Sequence, residues 1–195
     1  KEDFTFFKKS LRGENIKGCK FHFIVQKKPD GISSAISKVS RFFSNNEKGI
    51  FILGDNFFYG NDLISTIIKA YRNEKCSIFL SHAKDPWNYG TIKTSKHKLE
   101  FFEKKKTSKG SVITGLYIID GKSLKQTKNL KKSSRGEYEV IDLIKLIYNN
   151  KNLSIVKLRR GIAWYDMGTF KNINRVSNLI SIIQSRLGLE IGNLN

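Results

Sequence analysis

No stretch of the chain reaches the roughly 18 consecutive apolar residues that a membrane-spanning helix requires. No charged-then-apolar leader with a small-residue cleavage site opens it either. Neither a membrane span nor a secretion signal is expected, and the chain reads as soluble and cytoplasmic. Cysteine is scarce: Cys19 and Cys76 lack metal-ligand or redox spacing, so both are expected to be reduced and buried in strands. The three histidines, His22, His82 and His97, are scattered without a partner motif, which argues against a histidine-based metal or catalytic centre. Acid is in short supply, with 17 Asp and Glu against 36 Lys and Arg, a formal net charge of +19. Such a field attracts nucleic acid, acidic membranes or phosphorylated small molecules. The cations are spread out, however, with only local runs such as "FFEKKKTSK" at 101–109. Without a nucleic-acid motif, lysine on solvated faces is the plainer reading, and nucleic acid is not expected as a partner. Linkers, internal repeats and low-complexity segments are also lacking, which leaves a single domain, residues 1–195.

What the chain does have is a core: 39% of its 195 residues are hydrophobic, enough for one α/β domain. Phe4, Phe7 and Leu11 have helical spacing over 3–12, and Gly13 can end that turn. "CKFHFIV" (19–25) alternates as a strand does, and "QKKPDG" follows as a turn. Ile32, Ala35, Ile36, Val39 and Phe43 form a helical stripe. "GIFIL" (49–53) reads as the next strand. A helix capped by Asn61 or Asp62 then carries Leu63, Ile64, Ile67, Ile68 and Tyr71, and "KCSIFLS" (75–81) is a further strand. Helix and strand alternate three times, which predicts a largely parallel sheet with helices on its faces. Beyond it, a hairpin around Ser95 to Lys98 and a long strand "SVITGLYIID" (111–120) graft on an antiparallel portion. A helix near 137–150, strands near "LSIVKLR" and "IAWYDM", and a last helix from Phe170 to Leu187 with Gly188 as C-cap complete the chain.

In open α/β sheets, ligands gather at the carboxyl ends of strands. Asp55, in "FILGDNFFYG", sits at such an end. A lone Asp after a strand is usually a cap or turn former, but here the capping position falls several residues later, which leaves Asp55 free. Phe57, Phe58 and Tyr59 are placed to wall a pocket beside it. Asp166 occupies a similar position in "RRGIAWYDMGTF". Two carboxylates from separate strand ends suit Mg²⁺, which takes one or two of them and leaves its other positions to water and phosphates. The basic surplus then has a use as a phosphate clamp.

Seven segments, "VQKKPDGISSA", "FILGDNFFYG", "KDPWNYGTIK", "FFEKK", "VITGLYIID", "SSRGEYEVIDLI" and "RGIAWYDMGTF", stand together in an order and at a spacing that resemble the glucose-1-phosphate thymidylyltransferases, of the sugar nucleotidyltransferase family. The resemblance covers residue 1 to about 190. It implies a three-layer α/β/α, Rossmann-like nucleotidyltransferase with a mostly parallel mixed central sheet and an antiparallel sugar-binding portion. It also implies conversion of dTTP and glucose 1-phosphate to dTDP-glucose and pyrophosphate, with Mg²⁺ as cofactor. Gln26 and Gly31 fall on the positions that hold the pyrimidine base, and Asp55 and Asp166 on the metal carboxylates. Tyr89 and Gly90 fall beside the hexose. Glu103 matches the residue that accepts sugar hydroxyls, and Lys104 the one that meets the sugar phosphate. Ile113, Thr114 and Gly115 fall on the pocket lining, Arg135 on a further phosphate contact, and Trp164 on the aromatic before the metal carboxylate. The reaction so implied is an in-line displacement at the α-phosphorus, in which Lys104 and Arg135 neutralise the attacking phosphate and no general base is needed. Members of the family assemble as tetramers, which implies a homo-oligomer.

The sequence also departs from the family pattern. The family's opening strand and Gly-rich loop, G-G-x-G-T-R-L followed by lysine, are missing from these residues, and the chain begins at Lys1. The expectation is a fragment, inactive or nearly so by itself, with an exposed apolar sheet edge that leaves it poorly stable alone. "EKK" stands for Glu-Lys-Pro at 103–105, Ser33 and Ser34 stand for Ala and Gln, and Met167 stands for a small polar residue. A C-terminal tail used in packing between subunits is likewise missing from the 195 residues.

Overall fold

The computed structural model describes residues 2–12, 19–95, 98–106, 110–188 and 190–192. Its spine is a ten-residue strand, β6 (Ser111–Asp120), almost entirely buried. With a side-chain period of two, Ile113, Tyr117 and Ile119 join one core while Leu116 and Ile118 join another. The strand therefore needs cover on both faces. β3 (Cys76–Ser81) lies along one edge of β6, and β1 (Lys48–Ile52) and β4 (Gly90–Ser95) share the other. β5 (Lys98–Glu103) extends the sheet beyond β4, and β7 (Leu153–Lys157) extends it beyond β3.

Helices α2 (Ile32–Val39), α4 (Gly121–Lys125) and α5 (Val140–Asn149) cover the first face, contributing Ile36, Leu124, Ile141, Ile144 and Ile147 to its core. Helix α3 (Leu63–Arg72) covers the second through Ile67 and Ala70, against Phe79 and Leu116. The result is the expected three-layer α/β/α arrangement. Helix α1 (Glu2–Arg12) precedes it, and α6 (Phe170–Leu187) closes it with Gly188 in the left-handed conformation at φ 66°. No helix among the described residues is long and apolar enough to cross a membrane.

The expected parallel character of the sheet needs correction. β1, β3 and β7 do run in one direction, as alternating helices and strands require, but β6 enters antiparallel between β1 and β3. In this sheet only β3 and β7 are hydrogen-bonded as parallel neighbours. The hairpin is as expected, with Ser95 opposite Lys98. Its two turn residues lie outside the described residues, as does Gly13.

Residues 19–25 form no strand. Alternation assigns faces but cannot supply a hydrogen-bonding partner, and here Phe21 and Val25 are exposed. Phe23 packs edge-on to Phe4, and His22 lies against Phe42. Cys19 is correspondingly exposed, whereas Cys76 is buried in β3 as expected, where burial pushes its thiol up to about 11. Asp62 takes the N-cap position of α3, without a side-chain bond to the helix. A second, two-stranded sheet was not expected: β2 (Asn56–Tyr59) pairs antiparallel with β8 (Ala163–Asp166).

Candidate active site

After β1 ends, Leu53 to Asp55 make a tight reversal, closed by Asn56 N donating to Leu53 O at 3.0 Å. β2 then returns alongside β8, with Asn56 directly opposite Asp166. This ribbon carries Asp55 to the side of Asp166, and Met167 N donates to Asp55 O at 2.7 Å. Both carboxylates flank the α-carbon of Gly168: a methyl group there would stand 2.9 Å from Asp166 Oδ1 and 3.9 Å from Asp55 Oδ2. Gly168 N donates to Asp166 Oδ1 at 2.7 Å, and Asn172 of α6 donates to the Asp166 carbonyl at 2.8 Å. The two strand-end aspartates singled out in the sequence are thus brought together.

They stand at the mouth of a cavity of about 180 Å³ between β4, β6, β8 and the start of α5. Tyr89, Gly90, Glu103, Lys104 and Arg135 line it, and Trp164 stands against Tyr89 with ring centroids 5.3 Å apart. Ile113 and Gly115 line it from β6. Thr114 does not. It sits on the opposite face of that strand, fully buried, and its hydroxyl donates to Phe79 O at 2.9 Å. Alternation along β6 is the reason: if 113 and 115 face the cavity, 114 cannot.

Gln26 and Gly31 also lie outside the lining. Gln26 Nε2 donates to Asp30 Oδ1 at 2.9 Å and to Gly31 O at 3.2 Å, closing the turn on itself. That turn is tied to the end of the cavity by Tyr138 N donating to Asp30 O at 2.8 Å, and Ile32, the next residue, does line it. The proposed base turn therefore adjoins the cavity.

The electrostatics centre on Arg135. Its guanidinium lies 2.7 Å from Glu137, 3.3 Å from Glu139 and 3.7 Å from Glu103. Glu139 is buried and also receives a hydrogen bond from Ser133 Oγ at 2.7 Å. Burial pushes the Glu103 carboxyl above its ordinary range, as does the neighbouring charge of Glu139, while Arg135 and Lys104 pull it back. Burial, with Asp166 and Asp85 nearby, pushes the Tyr89 phenol up to about 12, so it stays protonated at neutral pH. Lys104 has a left-handed backbone, φ 41°, and its N–H donates to Tyr89 O at 3.2 Å. A non-glycine residue in that conformation is strained, and such strain gathers at functional sites.

Five carboxylates (Asp55, Asp166, Glu103, Glu137 and Glu139) thus face two cations, Lys104 and Arg135, inside a strongly basic protein. The all-oxygen donor pair at the mouth fits a hard divalent cation. No group of three or more His, Cys, Asp or Glu side chains suited to a metal occurs among the described residues.

Sequence reasoning missed Asn56, Glu137 and Glu139. Asn56 was visible only as a polar residue opening an aromatic strand. The two glutamates alternate around Tyr138 in "GEYEV", which places both on the Arg135 side. A larger open recess of about 890 Å³ lies at the other end of the sheet, around Lys48, Asp120 and Asn152, away from the paired aspartates.

The nucleotidyl transferase family model matches residues 1–181. Glucose-1-phosphate thymidylyltransferase of Xanthomonas campestris pv. campestris (strain B100) is 34% identical over 187 residues, covering 93% of this chain and 63% of its own. The enzyme of the same name from Neisseria meningitidis (strain Z2491) is 30% identical over 194 residues, covering 97% of this chain and 67% of its own. The chain thus spans a little under two thirds of the Xanthomonas protein. Among solved structures, a Bacillus anthracis protein of proposed glucose-1-phosphate thymidylyltransferase function, bound to sucrose, superposes with a TM-score of 0.78 at 27% identity over 97% of this chain and 74% of its own. A UDP-glucose pyrophosphorylase bound to UDP-glucose gives 0.76 at 18% identity, covering 93% and 76%, which is likeness of fold.

Proposed function

The chain belongs to the nucleotidyl transferase family, and on that footing we propose that it forms the metal-binding and sugar-phosphate-binding part of an enzyme transferring a thymidylyl group from dTTP to glucose 1-phosphate. The products are dTDP-glucose and pyrophosphate. The reading rests on one observation above all: Asp55 and Asp166 stand side by side at the mouth of a cavity whose wall carries Glu103, Lys104 and Arg135.

Charge decides what the site needs. Two phosphate groups entering among five carboxylates and two cations would be repelled unless further positive charge came with them. Asp55 and Asp166 would hold Mg²⁺, which when bound neutralises phosphate oxygens and orients them for in-line displacement. Glu103 accepts hydroxyl hydrogen bonds from the hexose. Gly90, lacking a side chain, lets the sugar approach the backbone; a Cβ there would stand 3.3 Å from Ile141 Cδ1 and 3.6 Å from both Glu103 Oε2 and Ile113 Cδ1. Lys104 and Arg135 meet the sugar phosphate, and Arg135 exchanges some of its carboxylate partners for phosphate oxygens. No group acts as a general base, because the attacking phosphate oxygen is already ionised. Gln26 and the Asp30–Gly31 turn take the base beside Ile32.

Further expectations rest on the family resemblance alone: a homotetrameric assembly, a cytoplasmic location, and use of the product in dTDP-sugar synthesis of the rhamnose type. No G-G-x-G-T-R-L phosphate loop occurs in these 195 residues. The 195-residue polypeptide by itself is therefore expected to turn over far more slowly than a relative that carries one.

Pyrophosphate release by the full-length gene product, given glucose 1-phosphate with dTTP, UTP or CTP, with Mg²⁺ or with chelator, tests the reading. Turnover with dTTP that chelator abolishes is expected. Preference for UTP or CTP would change the nucleotide and keep the class. Absence of turnover with every triphosphate, together with tight, salt-sensitive DNA binding, would replace the enzyme with a basic binding module.

A further inference from the structure

We propose that Asn56 is a positioning residue, using one side-chain amide to aim the Asp55 carboxylate and to hold the Trp164 indole beside the sugar cavity. The inference rests on the reading of Asp55 as a metal ligand. Asn56 Oδ1 accepts from Trp164 Nε1 at 2.6 Å and from Gly115 N at 3.2 Å, and Nδ2 donates to Asp55 Oδ1 at 2.8 Å. All three partners have fixed polarity: an indole or backbone N–H can only donate, and an ionised carboxylate can only accept. One orientation of the amide therefore satisfies all three, and the flipped one satisfies none.

Gly115 keeps the amide in place from the other side. A Cβ at Gly115 would lie 2.7 Å from Asn56 Cγ, so the backbone of β6 sits directly against the amide. The consequence for Asp55 is directional. Its Oδ1 is engaged by Asn56, and its Oδ2 is the oxygen near Gly168, on the side of Asp166. A carboxylate fixed in this way offers one oxygen to a cation without first losing rotational freedom. The same amide sets the indole that packs edge-on to Tyr89. Cation site and sugar wall are thereby coupled through a single side chain that need touch neither ligand.

The test uses the full-length gene product with Trp87, and any tryptophan outside the 195 residues, changed to Phe, so that Trp164 alone emits. Asn56→Ser should weaken Mn²⁺ binding, read by calorimetry, by about tenfold, the loss typical when a ligand's hydrogen-bond partner is removed. It should also shift the emission of Trp164 in the metal-free protein. Full Mn²⁺ affinity or unshifted emission overturns the proposal. Asp55→Ala run in parallel separates the two levels: if it too binds Mn²⁺ normally, the functional reading falls and the inference with it. If only Asn56→Ser is silent, the inference alone falls. Should circular dichroism show Asn56→Ser to be unfolded, Gly115→Ala decides, since its methyl group displaces the amide while leaving it present and must weaken Mn²⁺ binding in the same direction.

Discussion

Asn56 stands directly opposite Asp166 in the antiparallel ribbon of β2 and β8, and this register places the preceding residue, Asp55, at Asp166's side. Two carboxylates 111 positions apart in the numbering converge because two four-residue strands pair. Asp55→Asn and Asp166→Asn keep the shape and remove one negative charge each. Each should lower kcat by about 100-fold or more, the loss expected when transition-state charge is left uncompensated. Raised Mg²⁺ should recover part of the loss through mass action on a weakened site. Activity across a Mg²⁺ titration checks this, and an unchanged Mg²⁺ dependence in both variants would count against a shared cation.

Arg135 is held by three carboxylates, of which Glu139 is the most buried, at 7% side-chain exposure against 37% for the Arg135 side chain. Arg135→Ala leaves Glu139 with Ser133 but no cation. The stability cost should be modest, about 1–2 kcal/mol, because the guanidinium is partly solvated and already screened. The loss in activity should be larger, about 100-fold, if Arg135 meets the phosphate. Arg135→Lys should restore most of the stability but only part of the activity, since an ammonium lacks the forked geometry. Chemical denaturation and initial rates on the same preparations separate the two effects.

Glu103 gives a dependence on pH whose sign is fixed. Burial, and then Glu139, raises its carboxyl above the ordinary 4.5 in the folded protein, with Arg135 and Lys104 opposing. A carboxyl that binds its proton more tightly when folded contributes its full stability below pH 4.5, and that contribution is lost as pH rises through the folded-state value. Glu103→Gln removes the titration. Its melting temperature should exceed the parent's at neutral pH, and the gain should shrink as pH falls towards 4.5, while sugar-phosphate affinity is lost. Thermal melts of both proteins across the acid-to-neutral range check this.

Periodicity revealed those parts of the fold that bury a face. The stripes in α6 and α3 show it, β3, β6 and β7 read instead as apolar runs, and Gly188 marks the α6 terminus as a glycine C-cap should. Pairing was less legible, because a two-residue period states which side of a strand is buried and not which strand lies beside it. Hence alternation of helix and strand predicts a largely parallel sheet, whereas β1 lies antiparallel to β6. β2 was hidden for a different reason: its four residues are all half-buried and show no alternation. In the site, Asp55 and Asp166 are legible because each stands at the end of an apolar run. Glu139 was not, since a charged side chain is seldom buried without a partner and its partner, Arg135, comes from the preceding turn.

Gly31 should tolerate no side chain. Its φ is +109°, and a Cβ there would lie 2.5 Å from Tyr138 O. The strain and the clash together should cost Gly31→Ala about 1–3 kcal/mol. The substitution would also prise the 30–33 turn from residues 138–139, which are joined by Ser33 N to Tyr138 O at 3.2 Å and Ser33 Oγ to Glu139 O at 2.9 Å. Because Ile32, within that segment, lines the cavity, the KM for the nucleotide should rise more than that for the sugar phosphate. Equal effects on both would separate Gly31 from the base.

Thr114 distinguishes the geometry of this chain from the resemblance that put the residue in the sugar pocket. Its side chain lies on the far face of β6, fully buried, donating to Phe79 O where the register between β3 and β6 shifts between Ile78 and Leu80. The irregularity leaves the Phe79 carbonyl in need of a donor, and the Thr114 hydroxyl supplies it. Thr114→Val should therefore lower stability by about 1 kcal/mol or somewhat more, the cost of stranding a buried acceptor. Thr114→Ser should recover most of that loss. Neither should change the KM for glucose 1-phosphate, because the residues facing the cavity are its neighbours Ile113 and Gly115. Denaturant melts and steady-state kinetics on the two variants decide it: a raised KM at unchanged stability would return Thr114 to the pocket.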